Sequence, residues 1–239
     1  MSNILISVVH PTARVKPSAG FPRGWVDAML NFYERCAEPS RVEYILVVHE
    51  SRWDEFWGTG TNAVDISWGS TNVIKNPYRD CVVDQLNVGC AAADKSSKVL
   101  IATMDDLRAP KDWDRLIVES FPDLDTPHVV QYSSCSPRDG DLIVAGAITR
   151  ARYESVGYCL HPDYTSMYAD DDFTTVARRD GVMLEAKNIQ FEHLHPGFGK
   201  GQWDEIYENQ NSEANLKHGI ETFKRRIKEG FPPYDMVKR

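Results

Sequence analysis

Three short, β-branched apolar runs dominate the first hundred residues: Ile4-Leu5-Ile6-Ser7-Val8-Val9, Val42-Glu43-Tyr44-Ile45-Leu46-Val47-Val48 and Lys98-Val99-Leu100-Ile101-Ala102-Thr103-Met104. Runs of this length with few polar interruptions predict strands buried on both faces. Turn chemistry closes the first at His10-Pro11-Thr12, and His49-Glu50 ends the second. Between them apolar residues recur at helical spacing: Trp25, Met29, Phe32 and Cys36, stopped by Pro39, then Val82, Leu86, Gly89 and Ala93. Residues 12–24, with Pro17, Pro22 and three basic side chains, read as a loop. Residues 53–65 are less regular, and short edge strands are expected at 64–68 and 71–74. Strand and helix in alternation predict an α/β fold with a mostly parallel central sheet flanked by helices. Ligands of such sheets bind beyond the carboxyl ends of the strands. The loops after Val9, Val48 and Met104 should therefore converge on one crevice.

Farther on, the pattern predicts a helix at 113–121, extended segments at 128–132 and 141–148, a short helix at 173–179 and a strand at 188–193. Leu216, Ile220, Phe223 and Ile227 predict a last amphipathic helix. No internal repeat is present. Trp25, Phe32, Trp113 and Phe223 sit at core spacing and read as packing. Trp53, Trp57 and Trp68 lie in the irregular region, where one of them could stack on a sugar or a base.

Composition narrows the class. At 239 residues, 42% hydrophobic and 26% charged, the chain is neither disordered nor long enough for three domains. One domain over residues 1–210 and a helical tail over 211–239, packed on it, is the expected division. The net charge of −8 disfavours a general nucleic-acid coat. Residues 215–239, however, carry seven basic side chains against three acidic ones, a local +4 that leaves −12 on the rest. No apolar run approaches the roughly 20 residues of a membrane span, and the start lacks a secretory signal. Five cysteines with no C-x-x-C pair exclude zinc-ribbon and dithiol redox motifs. Free thiols in a cytoplasmic protein are expected.

Three constellations could carry chemistry. Met104-Asp105-Asp106 places two adjacent carboxylates directly after the third buried strand. Such a pair is comfortable when solvated or when a cation lies between its members, and Mg²⁺ and Mn²⁺ favour carboxylate and diphosphate oxygens. A solvated turn with Asp106 as helix cap is the plainer account. Next, Ala169-Asp170-Asp171-Asp172-Phe173 crowds three carboxylates before a helix, where the dipole favours them as caps and where one could serve as a general base. Last, Glu192-His193-Leu194-His195 points two imidazoles the same way from a strand end, suited to a metal or a phosphate oxygen. Ordinary polar histidines fit that position equally. Gly197-Phe198-Gly199-Lys200-Gly201 follows, with the character of a mobile, cation-bearing flap over a diphosphate. Walker A and full G-x-G-x-x-G patterns are absent.

In this order, over residues 4–203, these residues resemble the family 2-like glycosyltransferases of the GT-A fold, especially small stand-alone bacteriophage enzymes. The resemblance implies a nucleotide-touching loop at His10-Pro11-Thr12-Ala13-Arg14, with Pro11, Thr12 and Arg14 as donor contacts. It also implies a base-proximal acidic residue at Glu50 and an Asn-x-Gly element at Asn87-Val88-Gly89. The metal motif falls on Thr103-Met104-Asp105-Asp106, followed by Pro110-Lys111-Asp112-Trp113-Asp114. Met104 stands where the family has its first Asp, so Asp106 becomes the direct ligand and Asp105 faces the donor sugar or ribose. The base motif falls on Asp170 or Asp171, with Ala169 in place of the family's Glu. His193 or His195 completes the metal site, and Lys200 reaches the phosphates. The implied reaction is a Mn²⁺- or Mg²⁺-dependent transfer of a sugar, with inversion, from a nucleotide sugar of the UDP type to an acceptor hydroxyl. The acceptor is a saccharide or else a 5-hydroxymethylpyrimidine in phage DNA. The same residues also fit a non-catalytic sugar-nucleotide-binding protein or a nucleotidyltransferase. Residues 133–163, where acceptor loops of this class lie, carry no readable chemistry.

Overall fold

The computed structural model describes residues 4–16, 24–58, 68–137, 139 and 141–234. Its elements are β1 (Ile6–Thr12), α1 (Val26–Glu34), β2 (Val42–His49), α2 (Trp53–Gly58), β3 (Ser70–Asn76), α3 (Val82–Ala92), β4 (Val99–Ala102), β5 (Leu107–Arg108) and α4 (Trp113–Glu119). After these come β6 (Val129–Ser133), β7 (Ala145–Thr149), α5 (Arg150–Val156), α6 (Ala169–Arg179), β8 (Met183–Gln190), β9 (Glu192–His193), α7 (Glu205–Gln210) and α8 (Glu213–Glu229). Seven strands form one sheet in the order β3-β2-β1-β4-β7-β6-β8; β5 and β9 pair separately. β1 lies between β2 and β4 and is parallel to both; β6 is parallel to β8, and within the seven-stranded sheet β7 runs against its neighbours. The order turns outward on either side of β1 and β4, and ligands of such sheets bind beyond the carboxyl ends at this switch point.

The alternation along β2 explains why both faces are covered. Tyr44, Leu46 and Val48 join Val8, Phe32, Ile101 and Trp113 on one side. Ile45 and Val47 join Val9, Leu86, Leu100 and Ile148 on the other. On that second side α3 lies close: a Cβ built on Gly89 would come within 2.3 Å of Val9 Cγ1 and 2.8 Å of Val47 Cγ2. Only a glycine lets the helix backbone approach this near.

Several expectations change. His10-Pro11-Thr12 continues β1 instead of turning away from it. Val9 accepts from Thr103 N on the β4 side. Pro11, two residues on, faces that same side beyond the end of β4, where its missing N–H costs no ladder bond. Residues 53–58, expected to be irregular, form α2. The edge strand at 71–74 is β3, whereas the expected strand at 64–68 lies outside the described residues except for Trp68. So do residues 17–23 of the loop and Asp235, Lys238 and Arg239 of the tail. Trp68 is core, stacked on Tyr44 with ring centroids 5.4 Å apart. In α8 the apolar stripe is the docking face only in its middle: Phe223 packs on Tyr168 with ring centroids 5.7 Å apart and Ile220 is half-buried, but Leu216 and Ile227 are exposed, and Gly219, Thr222 and Arg226 are buried in their place. Gly219 sits so near Met167 that a Cβ would come within 2.4 Å of its carbonyl oxygen. Arg226 reaches the α6 carboxylate of Asp172, and both side chains are buried. All five cysteines are free thiols. No helix among the described residues is long and apolar enough to cross a membrane.

Candidate active site

The carboxyl ends of β1 and β4 meet at the acid pair. Both aspartates are buried, Asp105 to 3% and Asp106 to 4% exposure. Buried carboxylates need partners, and the two find different ones. Asp105 Oδ1 lies 2.9 Å from His10 Nε2, while Oδ2 accepts from Thr12 Oγ1 and Arg14 Nη1, each at 3.2 Å. His10 Nδ1 is in turn 2.5 Å from the Tyr44 hydroxyl. Burial and the charge of Asp105, opposed by Arg108, push that phenol well above its usual range. Asp105 is thus tied from both of its oxygens to β1 and the residues just after it, and through His10 to Tyr44 of β2.

Asp106 faces the later half of the chain. β5 follows it at once and pairs antiparallel with β9, setting Leu107 opposite His193. That register brings His193 Nε2 to 2.9 Å from Asp106 Oδ2. Backbone bonds fix the approach: Leu194 N donates to Asp106 O at 2.8 Å and His193 N to Ser134 O at 3.2 Å. The route to β9 is a register jump between β6 and β8, from Tyr132↔Ala186 to Ser133↔Gln190. Tyr207 of α7 donates its hydroxyl to the same Asp106 oxygen at 2.6 Å. Burial pushes the Asp106 carboxyl up, but the bonds from His193 and Tyr207 and the charge of Arg14 outweigh it and hold the group well below the usual carboxylate range. His193 Nδ1 and Thr103 Oγ1 are both buried without a hydrogen-bond partner among the described residues.

The other predicted residues fall into two groups. Arg14 belongs to the cluster. Besides Asp105 it holds Asp204 through Nε at 2.8 Å and Nη2 at 3.2 Å, and its guanidinium lies 4.4 Å from the Tyr207 ring centroid. These carboxylates outweigh burial and raise its pKa. His195 is half-buried against Tyr207, with ring centroids 4.9 Å apart, and its Nδ1 accepts from Gly197 N at 3.0 Å. Burial and neighbouring His193 lower its pKa, against the pull of Asp106. Thr12 reaches the cluster through Asp105, and Pro11 is buried beside it in β1.

Elsewhere, Glu50 is exposed at the start of the turn after β2. Asn87 clamps a distant loop, donating to Leu160 O at 2.8 Å and accepting from Cys159 N at 2.8 Å. Lys200 pairs with Glu192 at 3.3 Å. Asp170 and Asp171 stand in the first turn of α6, where Asp170 Oδ1 accepts from Asp171 N at 3.1 Å. Asp172, third in that run, is committed to Arg226 and to Tyr164, whose hydroxyl donates at 3.1 Å.

Three cluster residues carry no site role in the sequence reading, Tyr44, Asp204 and Tyr207, and His10 enters it only as part of the nucleotide-touching loop. Asp204 alone left a signal, since an Asp three residues before Tyr207 and after a glycine run has the pattern of a helix cap. It caps α7 by accepting from Tyr207 N at 3.0 Å.

Asp106 and His193 offer one carboxylate oxygen and one imidazole nitrogen. Their 2.9 Å separation is close to the roughly 3 Å that separates neighbouring ligands around an octahedral ion with bonds of about 2.1 Å. No group of three or more His, Cys, Asp or Glu side chains in metal-holding geometry occurs among the described residues. A cation here would fill its remaining positions from a ligand such as a diphosphate, which is how Mg²⁺ sites with few protein carboxylates work.

No protein-family model matches the chain, and no curated protein sequence does. Solved structures do. S. aureus TarS superposes with a TM-score of 0.56 at 12% identity, over 95% of this chain and 44% of its own, so the chain spans under half the length of that protein. The mannosyltransferase PcManGT from Pyrobaculum calidifontis, in complex with GDP-Man and Mn²⁺, gives 0.55 at 14% identity, over 95% of this chain and 76% of its own. The 4-diphosphocytidyl-2C-methyl-D-erythritol synthase of Anaerococcus prevotii gives 0.53 at 11% identity, over 92% and 97%. At such identities the likeness is one of architecture. The chain has the mostly parallel α/β fold of the GT-A glycosyltransferases.

Proposed function

We propose that the chain is a divalent-metal-dependent glycosyltransferase that moves a sugar from a nucleoside diphosphate donor, of the UDP type, to an acceptor hydroxyl with inversion. The observation that carries this is the meeting of Asp106 and His193, 87 residues apart, with ligand atoms 2.9 Å from each other at the carboxyl edge of the sheet. The fold likeness to a mannosyltransferase solved with GDP-Man and Mn²⁺ supports the class.

In this reading Asp106 and His193 would hold the cation, and His195 packs beside His193. The mixed oxygen and nitrogen set favours Mn²⁺ over Mg²⁺, which prefers oxygen alone. When bound there, such a cation would supply charge neutralisation to the diphosphate leaving group. Arg14 adds charge-assisted bonds to phosphate oxygens, with Lys200 on the adjoining glycine-rich turn as a second source. Asp105 positions Arg14 and Thr12. Asp170 or Asp171 accepts the proton from the acceptor hydroxyl as its oxygen bonds to the anomeric carbon and the carbon–phosphate oxygen bond breaks. Asp172 is withdrawn from that role by Arg226. A single base opposite the leaving group gives inversion, by analogy with inverting hydrolases.

A second reading, nucleotidyl transfer, is favoured by the match to 97% of the diphosphocytidyl-methylerythritol synthase chain. A DNA acceptor and a phage source find no support among these solved structures. Within the basic tail Arg226 is buried on Asp172, and Arg225 is paired with Asp163 and Glu229. The test is a thermal-shift panel of nucleoside diphosphates with and without Mn²⁺, followed by product analysis with the stabilising nucleotide's sugar. Metal-dependent stabilisation by one diphosphate, lost in Asp106→Ala, is the expected result, with release of nucleoside diphosphate on turnover. Release of pyrophosphate would establish the second reading. Stabilisation by no nucleotide would sink both.

A further inference from the structure

The segment after the glycine-rich turn holds two side chains against the acid pair. Asp204 meets Arg14 with both oxygens, Oδ2 accepting from Nε at 2.8 Å and Oδ1 from Nη2 at 3.2 Å. This is the forked geometry in which a guanidinium takes a carboxylate or a phosphate. One helical turn later, Tyr207 donates to Asp106 Oδ2 at 2.6 Å, on the oxygen that His193 also approaches. The chain's own anion therefore sits on the cationic arm of the site, and its own hydroxyl proton sits on the anionic arm.

We propose that α7 is a latch: Asp204 and Tyr207 hold the diphosphate and cation positions in the ligand-free chain, and the metal–nucleotide complex binds by displacing them. The proposal rests on the reading of Asp106 as a metal residue and Arg14 as a phosphate contact. Charge matches at each exchange. A diphosphate replaces a carboxylate on Arg14, and a cation replaces a polarised hydroxyl on Asp106. The segment is also easy to release. α7 has six residues, and Tyr207 is its sole buried side chain. It is entered through Gly199, at φ +73°, and the exposed residues 199–203. Beyond it α8 stays anchored by Arg226 on Asp172, so α7 can leave without carrying the rest of the chain with it.

Two conservative substitutions test this in the full chain. Tyr207→Phe removes the hydroxyl and keeps the ring. Asp204→Asn removes the charge and keeps a helix cap of similar quality. Mn²⁺ binding is followed by the electron spin resonance of the free ion, UDP binding in the presence of Mn²⁺ by calorimetry, and backbone hydrogen exchange over residues 204–210 by mass spectrometry. Loss of one competing hydrogen bond to a charged group predicts Mn²⁺ binding about tenfold tighter in Tyr207→Phe, and UDP–Mn²⁺ binding about tenfold tighter in Asp204→Asn. Exchange over 204–210 in the wild type should rise when Mn²⁺ and UDP are added. The latch is overturned if Asp106→Asn abolishes Mn²⁺ binding while Tyr207→Phe binds no more tightly than wild type, or if 204–210 becomes more protected on ligation. If Asp106→Asn binds Mn²⁺ as well as wild type, or if neither wild type nor Tyr207→Phe binds it, the metal reading falls and the latch falls with it.

Discussion

Arg226→Met is expected to destabilise the chain by several kcal/mol without touching the acid pair. Arg226 and Asp172 are each 2% exposed at the side chain. Nε donates to Asp172 Oδ2, Nη2 to Oδ1 at 3.3 Å, and Nη1 to Pro232 O at 3.3 Å. Methionine replaces much of the volume but leaves the carboxylate with the Tyr164 hydroxyl, at 3.1 Å, as its remaining donor among these contacts. Breaking a buried ion pair from one side costs about 3–5 kcal/mol, because a charge is left without compensation. Losing the bond to the Pro232 carbonyl adds about 1 kcal/mol. Against a total stability of about 5–15 kcal/mol the change is large. With a urea slope of about 3 kcal/mol per molar for a chain of this length, the unfolding midpoint should fall by about 1 M or more. The double variant Asp172→Leu with Arg226→Met buries no charge and should regain at least half of the loss. Equilibrium urea unfolding of the wild type, the single variant and the double variant measures both quantities. A loss under about 1 kcal/mol, the worth of an exposed pair, would refute the reasoning. So would a double variant no more stable than the single one.

Gly89→Ala should also destabilise, by about 1–3 kcal/mol in thermal or urea unfolding, since crowding against Val9 and Val47 outweighs the roughly 1 kcal/mol helix preference for alanine. Burial and the nearby charge of Arg226 hold the His161 imidazole down at about 4. As pH falls from about 6.5 toward 4, the unfolded chain takes a proton that the folded chain refuses, so wild-type stability should decline across that window; His161→Phe should flatten the decline in pH-dependent urea midpoints. Asp106 works in the opposite range. Its carboxyl stays ionised in the fold below the unfolded value, so its contribution is present above about pH 4 and is lost as pH drops through the lowered folded value. The stability difference between wild type and Asp106→Asn should accordingly shrink between pH 5 and pH 2, by acid titration of circular dichroism. Of Asp170→Asn and Asp171→Asn, one should lose turnover by about a hundredfold or more while keeping the Mn²⁺-dependent nucleotide shift; a loss of that size in neither would remove the base from this run.

Much of the sheet was legible because its signal is local. The β-branched runs at 4–9, 42–48 and 98–104 became β1, β2 and β4 whatever their partners, and the apolar spacing at 82–93 became α3. Elements whose identity depends on neighbours were not. Pro11 reads as a turn residue until the end of β4 is placed beside it. The apolar stripe of α8 marks only part of its docking face: Phe223 packs inward, but Gly219 and Arg226 are buried where Leu216 and Ile227 are not. Asn87 matches a donor-binding element in spacing, yet its amide holds the backbone at Cys159 and Leu160.

At the site, a carboxylate pair closing a buried strand could be read from consecutive residues, because burial and charge repulsion act on neighbours in the chain. Which partner each carboxylate takes could not. Asp105 turned to His10, Thr12 and Arg14, Asp106 to His193 and Tyr207, and Asp172 to Arg226. Every one of these contacts spans more than fifty residues. A charge in a low-dielectric interior selects whatever opposite charge or donor the packed strands and helices bring within about 3 Å, and that meeting exists only once the chain has folded.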